Sequence, residues 1–188
     1  VYPATAPGSS SLAMTVPQSA GHIPTVHDYK PSGRGYYHKP GSPDKMGRDY
    51  VFSSPDPLFA FGFGLSYTTF DYSDLSIETP SPAVGETAKL SFTVRNTGSR
   101  AGADVPQVYL QDEVSSVTTP EMRLVAFEKV TLQPGESRRV TIAIPPSEMS
   151  LWNIEMKQVV EPGKFTIMLG SSAEDIRLRG SFVVQSPQ

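Results

Sequence analysis

The sequence predicts a mainly β protein. Residues 71–188 read as an immunoglobulin-like sandwich of about seven strands, and an extended irregular segment precedes it. Three observations carry this. Apolar and polar residues alternate with a period of two in segment after segment beyond residue 70. Turn-forming clusters separate those segments. Prolines at 3, 7, 17, 24, 31, 40, 43, 55 and 57 leave no room for a long helix before them, because each removes a backbone donor and clashes with the preceding turn.

The elements follow in order. The expected strands are 71–79, 86–96, 104–112, 123–131, 137–145, 163–170 and 176–185. In the second, Ala88, Leu90, Phe92 and Val94 alternate with Lys89, Ser91, Thr93 and Arg95. Val140, Ile142 and Ile144 alternate with Thr141 and Ala143; Phe165, Ile167 and Leu169 alternate with Thr166 and Met168. Ile176, Leu178, Phe182 and Val184 keep the same beat. The breaks are Pro80-Ser81-Pro82, Asn96-Thr97-Gly98, Gln133-Pro134-Gly135-Glu136 and Glu161-Pro162-Gly163. Seven short strands with one buried face each fit a sandwich of two sheets. The connection after Pro145-Pro146-Ser147-Glu148-Met149 is the longest, holds Trp152, and has room for one short helical turn.

Composition bounds the function. The chain has 188 residues, 38% of them hydrophobic, and a formal net charge of −3. That is neither the basic signature of a nucleic-acid binder nor an acidic tail. No apolar run approaches the roughly 18 residues of a membrane helix. Cysteine is absent, so disulfides, thiolate metal sites and a cysteine nucleophile are excluded. The first residues lack the charged and apolar regions of a signal peptide, and the expectation is that the chain begins inside a longer polypeptide.

The first 70 residues hold all three histidines and half of the 18 prolines. They read as a strap whose aromatic side chains anchor it on another domain. Lys30, Arg34, Tyr36, Tyr37, His38, Lys39, Lys45, Arg48, Asp49 and Tyr50 interleave cations with aromatics. Such a surface suits docking against protein, which is favoured here, and also sugar rings and hydroxyls. His22, His27 and His38 lack the defined face and third ligand of a metal site. Gly62-Phe63-Gly64-Leu65-Ser66 has glycines placed for tight turns and no helix behind it, so it is not a nucleophile elbow. Asp28, Asp44, Asp49 and Asp56 sit among turn residues, where a solvated turn or a local salt bridge is the simpler account.

Here the motifs become specific. Leu58-Phe59-Ala60-Phe61-Gly62-Phe63-Gly64-Leu65-Ser66-Tyr67-Thr68-Thr69-Phe70 resembles the Pro-Phe-Gly-Tyr-Gly-Leu-Ser-Tyr-Thr-x-Phe motif of family 3 glycoside hydrolases, which leads into their fibronectin-III-like domain. Val94-Arg95-Asn96-Thr97-Gly98, Gln107-Val108-Tyr109-Leu110, Leu124–Val130, Leu132–Glu136, Glu161–Phe165 and Gly170–Ser172 resemble successive parts of that domain. Upstream, Thr15–Pro24 and Lys30–Arg34 are similar to the family's Thr-Phe-Pro-Arg-Ser-Val-Gly-Gln-Ile-Pro and Lys-x-Thr-Gly-Arg. The likeness covers nearly the whole chain and is nearest to the bacterial periplasmic-type β-glucosidases. Ser10-Ser11-Leu12-Ala13, Val16, Gln18, Ala60 and Ala126 depart from the pattern, which bears on loop geometry.

The resemblance implies a division into 1–57, the tail of the family's α/β-sandwich domain; 58–70, a linker motif; and 71–188, the fibronectin-III-like domain. It implies retaining, exo-acting hydrolysis of β-linked glucosides by the whole enzyme, without a cofactor or metal, in the periplasm or outside the cell. It implies no catalytic residue in this chain: the nucleophile belongs to a barrel and the acid/base glutamate lies upstream of Thr15. Ser73-Asp74-Leu75 copies two letters of the nucleophile motif but falls in the first sandwich strand. The expected partners are the remaining catalytic domains and a β-glucoside, not nucleic acid or membrane, with a second copy of the subunit left open. Phe59, Phe61, Phe63, Tyr67 and Phe70 are the expected domain-docking side chains. Lys45, Arg48, Asp49 and Tyr50 are the expected rim contacts to substrate. The alternative is a free-standing carbohydrate- or protein-binding module.

Overall fold

The computed structural model describes residues 9–22, 26–30 and 56–186. Its strands in chain order are β1 (Ser9–Ser11), β2 (Gly64–Ser66), β3 (Phe70–Ile77), β4 (Ala88–Asn96), β5 (Gly102–Asp104), β6 (Gln107–Asp112), β7 (Arg123–Phe127), β8 (Val130–Leu132) and β9 (Ser137–Ile144). A single helical turn, α1 (Pro146–Met149), follows. Then come β10 (Leu151–Trp152), β11 (Gln158–Val159), β12 (Gly163–Gly170) and β13 (Ile176–Val184).

Two antiparallel sheets form the sandwich. One has the order β3-β4-β9, the other β13-β12-β6-β7. The alternation read from the sequence is the buried register. Leu90, Phe92 and Val94 of β4, Val140 and Ile144 of β9, Val108 of β6, Phe165, Ile167 and Leu169 of β12, and Phe182 and Val184 of β13 are buried together between the sheets. Phe165 and Phe182 are direct cross-strand partners, and their rings stack at 5.4 Å.

Two expected strands are each divided in the structure. Residues 104–112 break at Val105-Pro106 into β5 and β6, and 123–131 break at Glu128-Lys129 into β7 and β8. The halves β5 and β8 pair with each other as a separate short ribbon. Pro106 supplies no backbone donor, so the ladder cannot run through it. Sequence alternation is unchanged across such a corner, which is why one strand was expected in each place.

The edges are also accounted for. In β3 a bulge between Ser73 and Ser76 places Asp74 at φ 54, and the Asp74 carbonyl accepts from Arg139. On the edge of β13, Val183 donates to Pro80 and Gln185 to Pro82. The proline-flanked β3–β4 turn thus covers part of an edge that would otherwise offer a pairing template. The glutamate of Glu136 caps the Gln133 amide in the β8–β9 turn, where Gly135 takes φ 75.

Candidate functional site

The 58–70 segment is held to the sandwich by a chain of specific bonds. Upstream residues fold back on it: β1 pairs with β2 from Ser9↔Ser66 to Ser11↔Gly64, Val16 bridges Phe59, and Leu12 donates to Phe63. Gly62 lies at φ 80 with the Gln107 side chain packed against its α-carbon, so no side chain fits there. Gln107, itself buried, donates to the carbonyls of Gly62 (3.0 Å) and Ser171 (2.7 Å). Its own oxygen accepts from the Tyr109 hydroxyl at 2.6 Å. Ala173 donates to Phe61, closing a loop of bonds around the turn.

The far end of the motif is equally tied. Thr68 donates to Asn96 Oδ1 at 2.8 Å, and the buried Asn96 amide donates to Arg100 and Leu132. Arg177 donates to the Phe70 carbonyl, pairs with Asp175 at 2.8 Å, and sits 4.6 Å from the Tyr72 ring centre. Burial, with Asp104 accepting from the hydroxyl at 2.7 Å, pushes the Tyr72 phenol well above its ordinary range.

The strap covers the outer face of the four-stranded sheet. There Tyr109, Met168 and Ala173 are buried beneath Phe61, Met122, Leu124 and Ile176. The His27 ring stacks on Phe61 at 3.8 Å and meets Tyr109 edge-on at 6.1 Å. Burial lowers the His27 pKa, against an opposing pull from Asp28. Glu121 donates its amide to Tyr29, which carries the strap on along the sheet.

Of the five aromatics expected to dock, the structure separates two groups. Phe70 belongs to the sandwich core and Phe61 to the covered outer face. Phe59 and Phe63 pack on each other at 5.0 Å, with Phe59 partly exposed, and Tyr67 stands 77% exposed beside Leu65 at 77%. Leu58 and Met14 are exposed as well, at 56% and 63%. Lys45, Arg48, Asp49 and Tyr50 lie outside the described residues.

The acids resolve into structural roles. Asp74 accepts from Ser73, Glu113 from Thr166 and Lys164, Asp175 from Ser171 and Arg177, and Glu161 from Ser116. The first three have pKa values held below the usual carboxylate range by those donors. Asp112 differs: burial pushes it up to about 6, with the Val114 amide opposing and Glu161 adding. Sequence reasoning passed over it, because a carboxylate at a strand end looks solvent-facing. Its core-side register position beyond Val108 and Leu110 was the available signal. Among the described residues no three metal-ligating side chains converge, and no helix is long and apolar enough to cross a membrane.

A three-on-four β-sandwich bonded side by side to a glycine–aromatic turn defines a class of domain. Residues 104–173 match the model of the fibronectin type III-like domain. Relatives extend the match. A periplasmic β-glucosidase of Salmonella typhimurium is 39% identical over 93% of this chain and 22% of its own length. A β-xylosidase of Formosa agariphila is 37% identical over 88% and 22%. The crystal structure of a Listeria innocua β-glucosidase in complex with glucose superposes with a TM-score of 0.81 at 32% identity, covering 93% of this chain and 24% of that one. The chain belongs to the family 3 glycoside hydrolases and corresponds to the C-terminal part of their β-glucosidases. It spans less than a quarter of the length of these relatives, whose other domains belong to the same enzyme.

Proposed function

We propose that this chain braces the catalytic domains of a retaining, exo-acting β-glucosidase of the periplasm or extracellular space. In this reading the sandwich is the rigid body, 58–70 is the linker motif, and 1–57 completes an α/β-sandwich domain. The observation that carries the reading is the exposure of Leu58, Phe59, Leu65 and Tyr67 on a segment that is otherwise bonded to the sandwich from both ends. Apolar side chains held rigidly outward suit a docking surface. The catalytic domains of the same enzyme are the partner of matching origin. Hydrolysis of β-linked glucosides is supported by likeness to the Salmonella protein over 93% of the chain.

Two measurements test this. The purified 188-residue chain should not turn over an aryl β-glucoside, whereas the complete enzyme should, and should prefer it to the aryl β-xyloside. Turnover by the chain alone, abolished by Asp49→Asn, would place the chemistry here and overturn the bracing role. In the complete enzyme, Arg48→Ala should alter kinetics on longer glycosides if Lys45–Tyr50 reaches the substrate rim. Identical kinetics at every substrate length would remove the rim assignment and leave the brace standing.

A further inference from the structure

At the opposite end of β6 from the aromatic turn, a cavity of about 300 Å³ opens between the end of the four-stranded sheet and the α1–β10 connection. It is lined by Asp112, Thr118, Thr119, Arg123 and Trp152 among others. Its size is at the lower limit for small-molecule pockets. Register explains why two opposite charges line the same cavity. Arg123 of β7 lies across from Leu110, and Asp112 follows two residues later on the same strand, so both point to the same side of the sheet. Arg123 donates to the Glu148 carbonyl of α1, which orients the guanidinium. Asp112 forms no ion pair among the described residues; the Val114 amide is its hydrogen-bond partner. Trp152 stands 60% exposed on β10. The hairpin that carries it is rigid: Asn153 accepts from the Glu155 and Lys157 amides, and Gln158 donates to Ser150.

We propose that this cavity is a binding subsite for a β-linked oligosaccharide, with Trp152 as the stacking platform and Asp112 and Arg123 as the hydroxyl-binding pair. The choice of ligand rests on the proposed glycosidase function and on the chemistry of the lining. A carboxylate and a guanidinium lining one cavity offer acceptors and donors without favouring either sign of ligand charge. Thr118 and Thr119 add groups that both donate and accept. A large aromatic face supplies the apolar contact that a pyranose ring needs. The site also keeps a half-buried carboxylate in a setting that disfavours its charge, which is a common property of ligand-binding groups.

Trp152 is the single tryptophan of the chain, so its fluorescence reports this site alone. Titrating the 188-residue chain with cellotriose and with laminaritriose should give a saturable change in emission for one or both. Asp112→Ala and Arg123→Met should each weaken it by about tenfold or more. A flat or merely linear response in a chain with an intact β-sheet circular-dichroism spectrum overturns the subsite. In the complete enzyme, Trp152→Ala should reduce retardation in an affinity gel containing soluble β-glucan; equal mobility also overturns it. These outcomes are independent of turnover. Loss of aryl-glucoside hydrolysis counts against the proposed enzyme, whereas a missing fluorescence response counts against this subsite only.

Discussion

The outer faces of the two sheets use the same alternating pattern and meet different surroundings. On the three-stranded sheet, Lys89 and Arg95 are exposed and Arg139 lies across Ser91 and Thr93, donating to both hydroxyls. Among the described residues this face is at least partly exposed apart from Ser91, which Arg139 covers. On the four-stranded sheet, Gln107, Tyr109 and Met168 occupy the equivalent outward positions and are fully buried, because the strap and the aromatic turn lie over them. The first sheet is a half-buried antiparallel layer of the ordinary kind. The second is the middle layer of three. The lesson is that the character of outward-facing residues reports what covers a sheet: a tyrosine, a glutamine and a methionine in a row call for a neighbour, whereas lysine, threonine and arginine do not.

That contrast can be tested by substitution, starting where the effect is largest. Tyr109→Ala should cost about 3–5 kcal/mol in chemical denaturation, the range for a fully buried aromatic. A loss below about 1 kcal/mol would mean that the strap does not cover this face in solution. Gly62→Ala should cost about 2–4 kcal/mol, because it combines a left-handed φ with a collision against Gln107. Hydrogen exchange at the Ala173 amide, which bonds to Phe61, would localise the damage to the covered face.

Protonation separates the strap from the cavity. Because burial lowers the His27 pKa, the folded strap favours the neutral ring. Its contribution is present above the unfolded value of about 6.5 and is lost as pH falls through the lower folded value. Amides of the strap should therefore lose protection in mild acid before those of the sandwich core, and His27→Phe should suppress that step. Asp112 has the reverse sign. Its folded pKa of about 6 lies above the ordinary carboxyl value of 3.8, so its stabilising share is present below 3.8 and lost as pH rises through 6. Asp112→Asn should thus raise stability at pH 7 by about 1 kcal/mol, after allowance for solvent screening of a half-exposed group, and leave it unchanged below pH 4. The smallest effect belongs to the open face: Lys89→Ala should change stability by less than about 0.5 kcal/mol. A larger loss would show that this face too is covered.

Most of the sandwich was legible in the sequence. Alternation at Ala88–Val94, Val140–Ile144 and Phe165–Leu169 gave the strands and their inward faces, because a pleated strand sends successive side chains to opposite sides. Proline and glycine clusters gave the turns. The motif from Leu58 to Phe70 gave the family. Two features of the site were not legible. Asp112 needed the pairing of β6 with β12 and β7 before its surroundings were known. Phe61 and Phe70 looked like equivalent docking aromatics, yet one lies on the outer face and the other in the core.

The sequence by itself therefore determined the seven extended segments of the sandwich, the inward-facing core, the turns and the family, all of which depend on neighbours within a few residues. Only the tertiary structure decided the division of two strands at sheet corners, the burial of Tyr109 beneath the strap, and the placing of Asp112, Arg123 and Trp152 around one cavity. These depend on contacts between residues far apart in the chain, such as Gln107 with Gly62 and Ser171, whose approach is set by the packing of whole layers and leaves no local periodic mark.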